Sequence, residues 1–411
     1  MSRQLTLFEG ARLQMNDSIR LTIESIEVYG AAHDHWCIAW SGGKDSTALV
    51  TLVVWLILAR KIRAPKTLTV LYADTRLELL PLYLSAQSIR EELLDHADAL
   101  AELGCALDVR TVMAPVDKRF LCYVLGRGVP PPNNNTLRWC TRQIKVDPMR
   151  AELARVGAVR GDVLMLTGVR LGESAARDAR IALSCSKGDG ECGQGWYQRD
   201  LVSRGHATLA PLLHWRVCHV WEWLRSWAPR PEHGDWTTTL LAEVYGGDEA
   251  EELHARTGCV GCPLAQDDRL LDRLVAMEAW SYLAPLRELR PLWRHLREPA
   301  VRLRKGGGEK RQDGTLVANQ YRMGPIVLAA RAAALEVVLD IQRRINDAAA
   351  ASGRRPIDLL TAEEERFIRE CIALGVWPRK WTGHVPLATE PFGEPGAQLV
   401  LFDDFDDAED A

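Results

Sequence analysis

Residues 41 to 46 read Ser-Gly-Gly-Lys-Asp-Ser and lie between two apolar runs. The set suits phosphate chemistry. Gly42 and Gly43 let a backbone approach an anion closely, Lys44 adds positive charge, and the hydroxyls of Ser41 and Ser46 add donors. The run before them, Trp36 to Trp40, is short, apolar and rich in β-formers, so it reads as a buried strand. Thr47 to Leu58 is long enough for a helix. A strand, a tight glycine turn and a helix bring backbone N–H groups and the positive helix end to one point, where an anion binds. An ordinary strand-to-helix turn with a solvated lysine leaves the other five residues without a reason. The spacing is not that of the Walker P-loop, nor that of the dinucleotide fingerprint G-x-G-x-x-G.

A second group of candidates is sulfur-bearing. Cys259 and Cys262 form a C-x-x-C in "TGCVGCPL". Cys140 lies in "LRWCTRQIK", and Cys185 and Cys192 lie in "SCSKGDGECGQGWY". A C-x-x-C serves redox chemistry, zinc or iron–sulfur, and four thiolates are the usual complement for zinc or a [4Fe–4S] cluster. The glycines around Cys259 and Cys262 argue against a pair of small residues on a packed helix face. Cys37, Cys105, Cys122, Cys218 and Cys371 sit in apolar or helical contexts and read as core residues.

These groups need elements to hold them. "TLTVLYADTRLE" gives a strand from Leu68 to Tyr72 that ends at Asp74 and Thr75. Residues 82 to 103 form one long helical pattern, and "ALDVRTVMAP" is another strand. A proline and asparagine loop then leads to a helix, and "GDVLMLTGVRLGESAARDAR" reads as strand, glycine turn and basic segment. Strands alternating with helices imply an α/β fold with a doubly wound parallel sheet. Ligands in such sheets bind beyond the carboxyl ends of the strands. Ser41 to Ser46, Asp74 and Gly168-Val169-Arg170 all fall at strand ends, which points to one composite site. From about residue 265 the β signal fades and three segments look helical, divided by the loop "RLRKGGGEKRQDGTL". The expected organisation is an N-terminal segment and helix (1–30), a nucleotide-binding domain with the cysteine loops (31–264), a helical C-terminal domain (265–400) and an acidic tail (401–411).

Bulk properties narrow the function classes. A chain of 411 residues can bury a large core and fits two domains. Hydrophobic residues at 47% and charged residues at 26% are ordinary for a soluble globular protein. A net charge of −4 confines any nucleic-acid contact to a local patch. No apolar run approaches the length of a membrane span and no signal-peptide pattern opens the chain, so the expected location is the cytoplasm, without a membrane partner. Ten cysteines in such a chain favour metal or thiol chemistry over a disulfide framework. Fourteen tryptophans, several between Trp215 and Trp236, fit an amphipathic helix that buries its rings.

The six-residue stretch resembles the PP-loop of ATP pyrophosphatases, S-G-G-x-D-S, which holds the pyrophosphate of ATP while the α-phosphate is attacked. In that resemblance Asp45 sits near a magnesium ion or orients the loop. "SGGKDS", "YADT", "RWCTRQIKVDP", "TGVRLGESAAR", "LAPLLHW…VWEWL" and the C-x-x-C occur in an order similar to phosphoadenosine phosphosulfate reductase-like proteins. Among these the chain looks most like the sulfur-incorporation proteins of bacterial DNA phosphorothioation, the DndC/SspD type. The resemblance spans roughly residues 30 to 270. It implies a PP-loop nucleotide hydrolase fold, ATP cleavage to AMP and pyrophosphate with Mg2+, and a [4Fe–4S] cluster, with zinc as the alternative. Those proteins usually carry a further cysteine shortly before the C-x-x-C, and none lies between Cys218 and Cys259. The ligands carried over are therefore Cys140, Cys259, Cys262 and Cys192, with Cys185 in contention for the last place. True reductases end in a nucleophilic E-C-G-[IL]-H motif. Here Glu191-Cys192-Gly193 lies mid-chain and is followed by Gln194.

The expected reaction is adenylation of an acceptor oxygen followed by sulfur delivery. Lys44, Asp45 and Arg170 are the catalytic candidates. Ser41, Gly42, Gly43, Lys44, Asp45, Ser46, Asp74, Gly168 and Arg170 are expected to bind ATP and its magnesium. Arg177 contacts a phosphate or is a solvated helix residue. The acceptor expected from the resemblance is DNA, with a cysteine desulfurase as sulfur donor and the basic segments 138–145 and 302–311 tracking a DNA backbone. The other readings are a tRNA or small-molecule thiolation enzyme, a reductase-like oxidoreductase, and an ATP-binding regulatory module with a structural metal. The ends of the chain carry QLTLF (residues 4–8) and QLVLF (residues 398–402). Both resemble the Q-L-x-L-F peptide by which bacterial proteins dock on the DNA-polymerase sliding clamp, and two edge strands that pair with each other are the plainer reading.

Overall fold

The computed structural model describes residues 14–133, 138–172, 178–179, 181–183, 195–200, 206–246, 259–265, 267–305, 307–308, 310–311, 313–378, 381–385 and 387–389. The fold is α/β, a mostly parallel six-stranded sheet flanked by helices, with a helical C-terminal region. The strands are β1 (His35–Trp40), β2 (Thr67–Asp74), β3 (Ala106–Met113), β4 (Val163–Leu166), β5 (Trp196–Asp200) and β6 (His206–Ala210). Their order is β3-β2-β1-β4-β6-β5. β1 pairs in parallel with both β2 and β4, β4 pairs in parallel with β6, and β5 closes the edge antiparallel to β6. The chain thus runs outward from β1 to β3, then returns to the other flank of β1 as β4. A crevice opens where the winding reverses, at the carboxyl ends of β1 and β4.

The apolar runs explain this placement. β2 is buried along its whole length and β1 nearly so, as strands covered on both faces must be. Helix α1 (Met15–Gly30) precedes β1. Helix α2 (Lys44–Leu58) follows it, and every residue from Ser46 to Ile57 is buried. Each buried leucine, isoleucine or valine of α2 contributes about 1.5–3 kcal/mol, so the helix that begins at Lys44 is firmly seated. A core cluster of Cys37, Leu71, Val112, Leu153, Val156 and Val163 joins strands β1 to β4 to the helix Asp147–Arg160. The pattern expected as one helix over 82–103 forms two, Leu80–Asp95 and Ala97–Glu102, with His96 as the N-cap residue of the second.

The chain divides into two compact units. One comprises residues 1–74, 80–112 and 149–257 and contains the six-stranded sheet. The other comprises 75–79, 113–148 and 258–411. The second unit is built on the helices Leu328–Ala351 and Ala362–Ala373. The latter starts with a reciprocal cap in which Thr361 N donates to Glu364 Oε2 at 2.9 Å and Glu364 N donates to Thr361 Oγ1 at 3.1 Å. It also contains a short antiparallel pair, β7 (Arg302–Arg304) with β8 (Met323–Ile326). Arg331 is fully buried there and donates to the carbonyls of Gly126 at 2.7 Å and Val376 at 3.0 Å, beneath the ring of Trp377. Among the described residues no helix is long and apolar enough to cross a membrane.

Candidate active site

The phosphate-type loop follows β1 and runs straight into α2, with Gly43 as N-cap residue and no side chain capping it. Gly42 adopts φ +69°, where a side chain is strained, and a Cβ there would press on Ala86 and the Tyr72 ring at 3.3 and 3.4 Å. The two serines fasten the turn from inside. Ser46 Oγ accepts from Ser41 N at 3.1 Å, lies 3.1 Å from Ser41 Oγ and donates to Gly43 O at 3.1 Å. The Ser46 hydroxyl is thus spent on loop shape, which leaves the amides at the start of α2 to meet an anion.

Asp45 is the hinge of the charged groups. Its Oδ2 accepts from Lys44 Nζ at 2.8 Å and its Oδ1 accepts from Arg170 Nε at 2.6 Å. Burial works against the charge of this carboxylate, but Arg170 and Lys44 outweigh it and hold its pKa below the ordinary value. Arg170 is 4% exposed and also donates to Trp215 O at 3.3 Å. Trp215 in turn donates from Nε1 to Thr22 Oγ1 of α1 at 2.9 Å. Gly168 makes the approach possible, because a Cβ at this position would lie 2.8 Å from Asp45 O and 3.0 Å from Ser46 N. By the register of β1 and β4, Ile38 faces Leu166, so Gly168 lies level with Trp40 just before the loop. Asp74 ends β2 and is buried at 6% exposure.

Of the residues expected to bind ATP, Ser41 to Ser46, Gly168 and Arg170 are therefore gathered at the reversal point, with Asp74 at the carboxyl end of the neighbouring strand. Arg177 lies outside the described residues. Two contributors were missed in the sequence. Tyr245, at the end of the helix Thr239–Tyr245, places its ring centroid 5.7 Å from Lys44 Nζ. Tyr72 closes on Gly42 from within the sheet. Tyrosines at such positions leave no spacing signal near the loop.

Both oxygens of Asp45 are engaged by cations, which fits an orienting role. Asp74 is the other carboxylate at this edge of the sheet with chemistry suited to magnesium.

Cys140, Cys259 and Cys262 belong to the second unit. Cys140 lies in the short helix Trp139–Thr141, followed by a wide turn, Arg142–Val146. Trp139 packs on Phe120 and Tyr123, and Trp293 meets Phe120 edge-on. Cys259 and Cys262 share a tight turn, Cys262 N donating to Cys259 O at 3.0 Å, with Gly261 at φ +60° between them. Val260 N donates to Leu77 O at 2.7 Å and ties this turn down. Burial pushes the Cys259 thiol up to about 12, and Cys262, Glu78 and Cys140 push in the same direction. Burial likewise raises Cys140, with Cys262 contributing. Lys145 is held below its ordinary value by burial, against the pull of Glu78 and Cys259. The three thiols are thus near enough to sense one another, and their chemistry fits a thiolate-bound metal group. Among the described residues, however, no group of three or more His, Cys, Asp or Glu side chains is arranged to hold a metal ion. Cys185 and Cys192 lie outside the described residues. Cys37, Cys105, Cys122 and Cys371 are buried, while Cys218, expected in the core, is partly exposed.

The basic segment 302–311 is divided: Lys310 and Arg311 are exposed, whereas its first two arginines are not. Arg302 and Arg304 are buried at 4% and 8% exposure within β7, Arg302 Nε donating to Gly324 O at 2.8 Å, and Lys305 lies over Trp381. Arg302 and Arg304 are therefore part of a core. In the other segment Arg138 and Arg142 are exposed. The aromatic segment meets its expectation, with Trp215, Trp221, Trp223 and Trp236 all buried. The pentapeptides at residues 4–8 and 398–402 and the acidic tail lie outside the described residues.

Comparison with known proteins finds one family model that matches part of the chain. Residues 35–228, just under half of the chain, match the family model "Phosphoadenosine phosphosulfate reductase domain". Two solved structures are similar to the chain. One is the phosphoadenylyl-sulfate (PAPS) reductase from Candida auris in a phosphate complex, 12% identical over 63% of this chain and 98% of that chain, with a TM-score of 0.30. The other is the U34-tRNA thiolase NcsA from Methanococcus maripaludis with its [4Fe-4S] cluster, 16% identical over 68% of this chain and 80% of that chain, also with a TM-score of 0.30. No curated protein matches the sequence.

Proposed function

We propose that this chain is an ATP-dependent sulfurtransferase of the PP-loop kind, acting on DNA in phosphorothioate modification. One observation carries the ATP chemistry: a single half-buried carboxylate, Asp45, holds Lys44 and Arg170 at the uncapped start of α2, where the sheet reverses its winding. The family match of residues 35–228 supports a nucleotide enzyme, and the order of motifs from "SGGKDS" to the C-x-x-C supports the DNA acceptor.

In this reading the triphosphate of ATP lies on the amides of α2, and an acceptor oxygen attacks the α-phosphate. The bond to pyrophosphate breaks and negative charge grows on the departing group. Lys44 and the loop amides stabilise that charge because they are already fixed in place, so little reorganisation is needed. Arg170 keeps Asp45 ionised and thereby keeps Lys44 aimed at the loop. Magnesium bound near Asp74 supplies further charge neutralisation at the phosphates. The outer sulfur of a cysteine desulfurase persulfide then attacks the adenylated phosphorus and AMP leaves. A thiol reductant cleaves the remaining S–S bond, so that the sulfur stays on the acceptor and the desulfurase cysteine is returned as a disulfide with that thiol. Cys140, Cys259 and Cys262, with Cys192 or Cys185, are proposed to hold a [4Fe–4S] cluster, and no step above is routed through it. The test is product analysis with ATP, magnesium, duplex DNA and a desulfurase. AMP, pyrophosphate and phosphorothioate linkages in the DNA support the reading. ATP cleavage with sulfur appearing only in tRNA would overturn the DNA part.

A further inference from the structure

The Lys44 ammonium has two neighbours of unlike chemistry. One is the Asp45 carboxylate at 2.8 Å, and the other is the face of Tyr245, whose ring centroid lies 5.7 Å away. That distance is within the range of a cation–π contact. Tyr245 is 2% exposed, and its ring is fixed against Trp221 with centroids 5.1 Å apart. The hydroxyl end also lies beside the loop, since a Cβ on Gly43 would stand 3.5 Å from Tyr245 Oη. The helix ends at this residue, with Gly246 at φ +130° turning the chain away.

The two neighbours pull differently. Asp45 neutralises a cation, and it is already shared with Arg170. A ring face attracts the ammonium without neutralising it, so the charge remains available to an anion. We propose that Tyr245 is a positioning residue of the phosphate loop: its ring face restrains the Lys44 ammonium from one side while Asp45 holds it from another, so the charge is fixed beside the loop before the triphosphate arrives. This deepens the ATP-binding reading and rests on it. Without the ring, Lys44 has one restraint in place of two, each nucleotide must order the ammonium as it binds, and ATP affinity falls.

Binding of ATP with magnesium to the full chain, followed by calorimetry, tests this. Tyr245→Leu weakens ATP about threefold to tenfold, the scale of a partly desolvated cation–π contact. Tyr245→Phe keeps the ring and stays within about twofold of the parent. Tyr245→Met fills the volume without a π face and behaves as Tyr245→Leu does, which covers a failure of the leucine variant to fold. The deciding comparison is made in a Lys44→Met background. With the ammonium gone, Tyr245→Leu changes ATP affinity by less than about twofold. An equal loss in both backgrounds means that Tyr245 serves packing alone and overturns the proposal, as does parent-like binding by Tyr245→Leu. Failure of the parent chain to bind ATP overturns the functional reading beneath it.

Discussion

Replacing Asp45 by asparagine preserves the shape of the side chain and removes the charge that two cations share. One amide oxygen remains for two donors, and the amide NH2 must face one of the cations. Arg170, 4% exposed, keeps its bond to Trp215 O but loses its ionic partner. Loss of one partner from a buried ion pair costs about 3–5 kcal/mol. The Asp45 and Lys44 side chains are 16% and 17% exposed, so solvent screens part of this and about 3 kcal/mol is expected. For a unit of this size that lowers Tm by about 6–12 °C. Catalysis suffers separately. With Lys44 no longer held in place, the transition state forgoes one charge-assisted hydrogen bond, about 2–3 kcal/mol, which reduces kcat/KM for ATP about 30- to 160-fold. Pyrophosphate release measured beside a thermal melt separates the two effects. Because the Asp45 carboxyl is held low, its contribution is fully present at neutral pH and is lost only as pH falls below 3.8 through the folded-state value. An Asp45→Asn protein with parental melting and parental kcat/KM would refute the bridging role.

Other outcomes follow from the aromatic core and from the cysteines. His233 is 8% exposed among the rings of Trp55, Trp227 and Trp223, at 4.8, 5.1 and 5.8 Å, and its Nδ1 has no hydrogen-bond partner. Burial holds its pKa below the ordinary 6.5, with Glu232 opposing and Arg230 and Lys61 reinforcing. The unfolded chain therefore takes up the proton first, so stability is complete above about pH 6.5 and declines as pH falls from there toward the folded-state value. Urea unfolding followed by tryptophan fluorescence should show that decline, and His233→Phe should flatten it. An unchanged profile in His233→Phe would exclude this histidine as its source. Serine in place of Cys140, Cys259 or Cys262 should each strip iron from anaerobically purified protein, as should serine at one of Cys185 and Cys192. A colourless, active parent holding one zinc would refute the cluster.

The strand–turn–helix junction at residues 41–46 was legible because its three parts are contiguous, and their residue types carry local conformational meaning. Arg170 was legible through topology: a strand end marked by Gly168 must reach the same sheet edge as the loop after β1. Tyr245 was not legible, since it arrives from a helix about two hundred residues downstream and interacts through a ring face that leaves no spacing pattern. β5 and β6 were missed for a related reason. Each is five residues long, and a short run with few β-branched residues has little periodicity to read. Within the segment 302–311, charge suggested solvent throughout, and this holds for Lys310 and Arg311. Arg302 and Arg304 are instead buried in β7, where Arg302 donates to Gly324 O, a tertiary arrangement that composition does not report. The break at His96 went unseen because the apolar pattern continues across it.

The most direct measurement of the central claim is the fate of label from ATP supplied to the purified chain with magnesium and duplex DNA. Cleavage between the α and β phosphates gives AMP from α-labelled ATP and pyrophosphate from γ-labelled ATP in equal amounts, and Lys44→Met abolishes both. ADP and inorganic phosphate as the products would contradict the account.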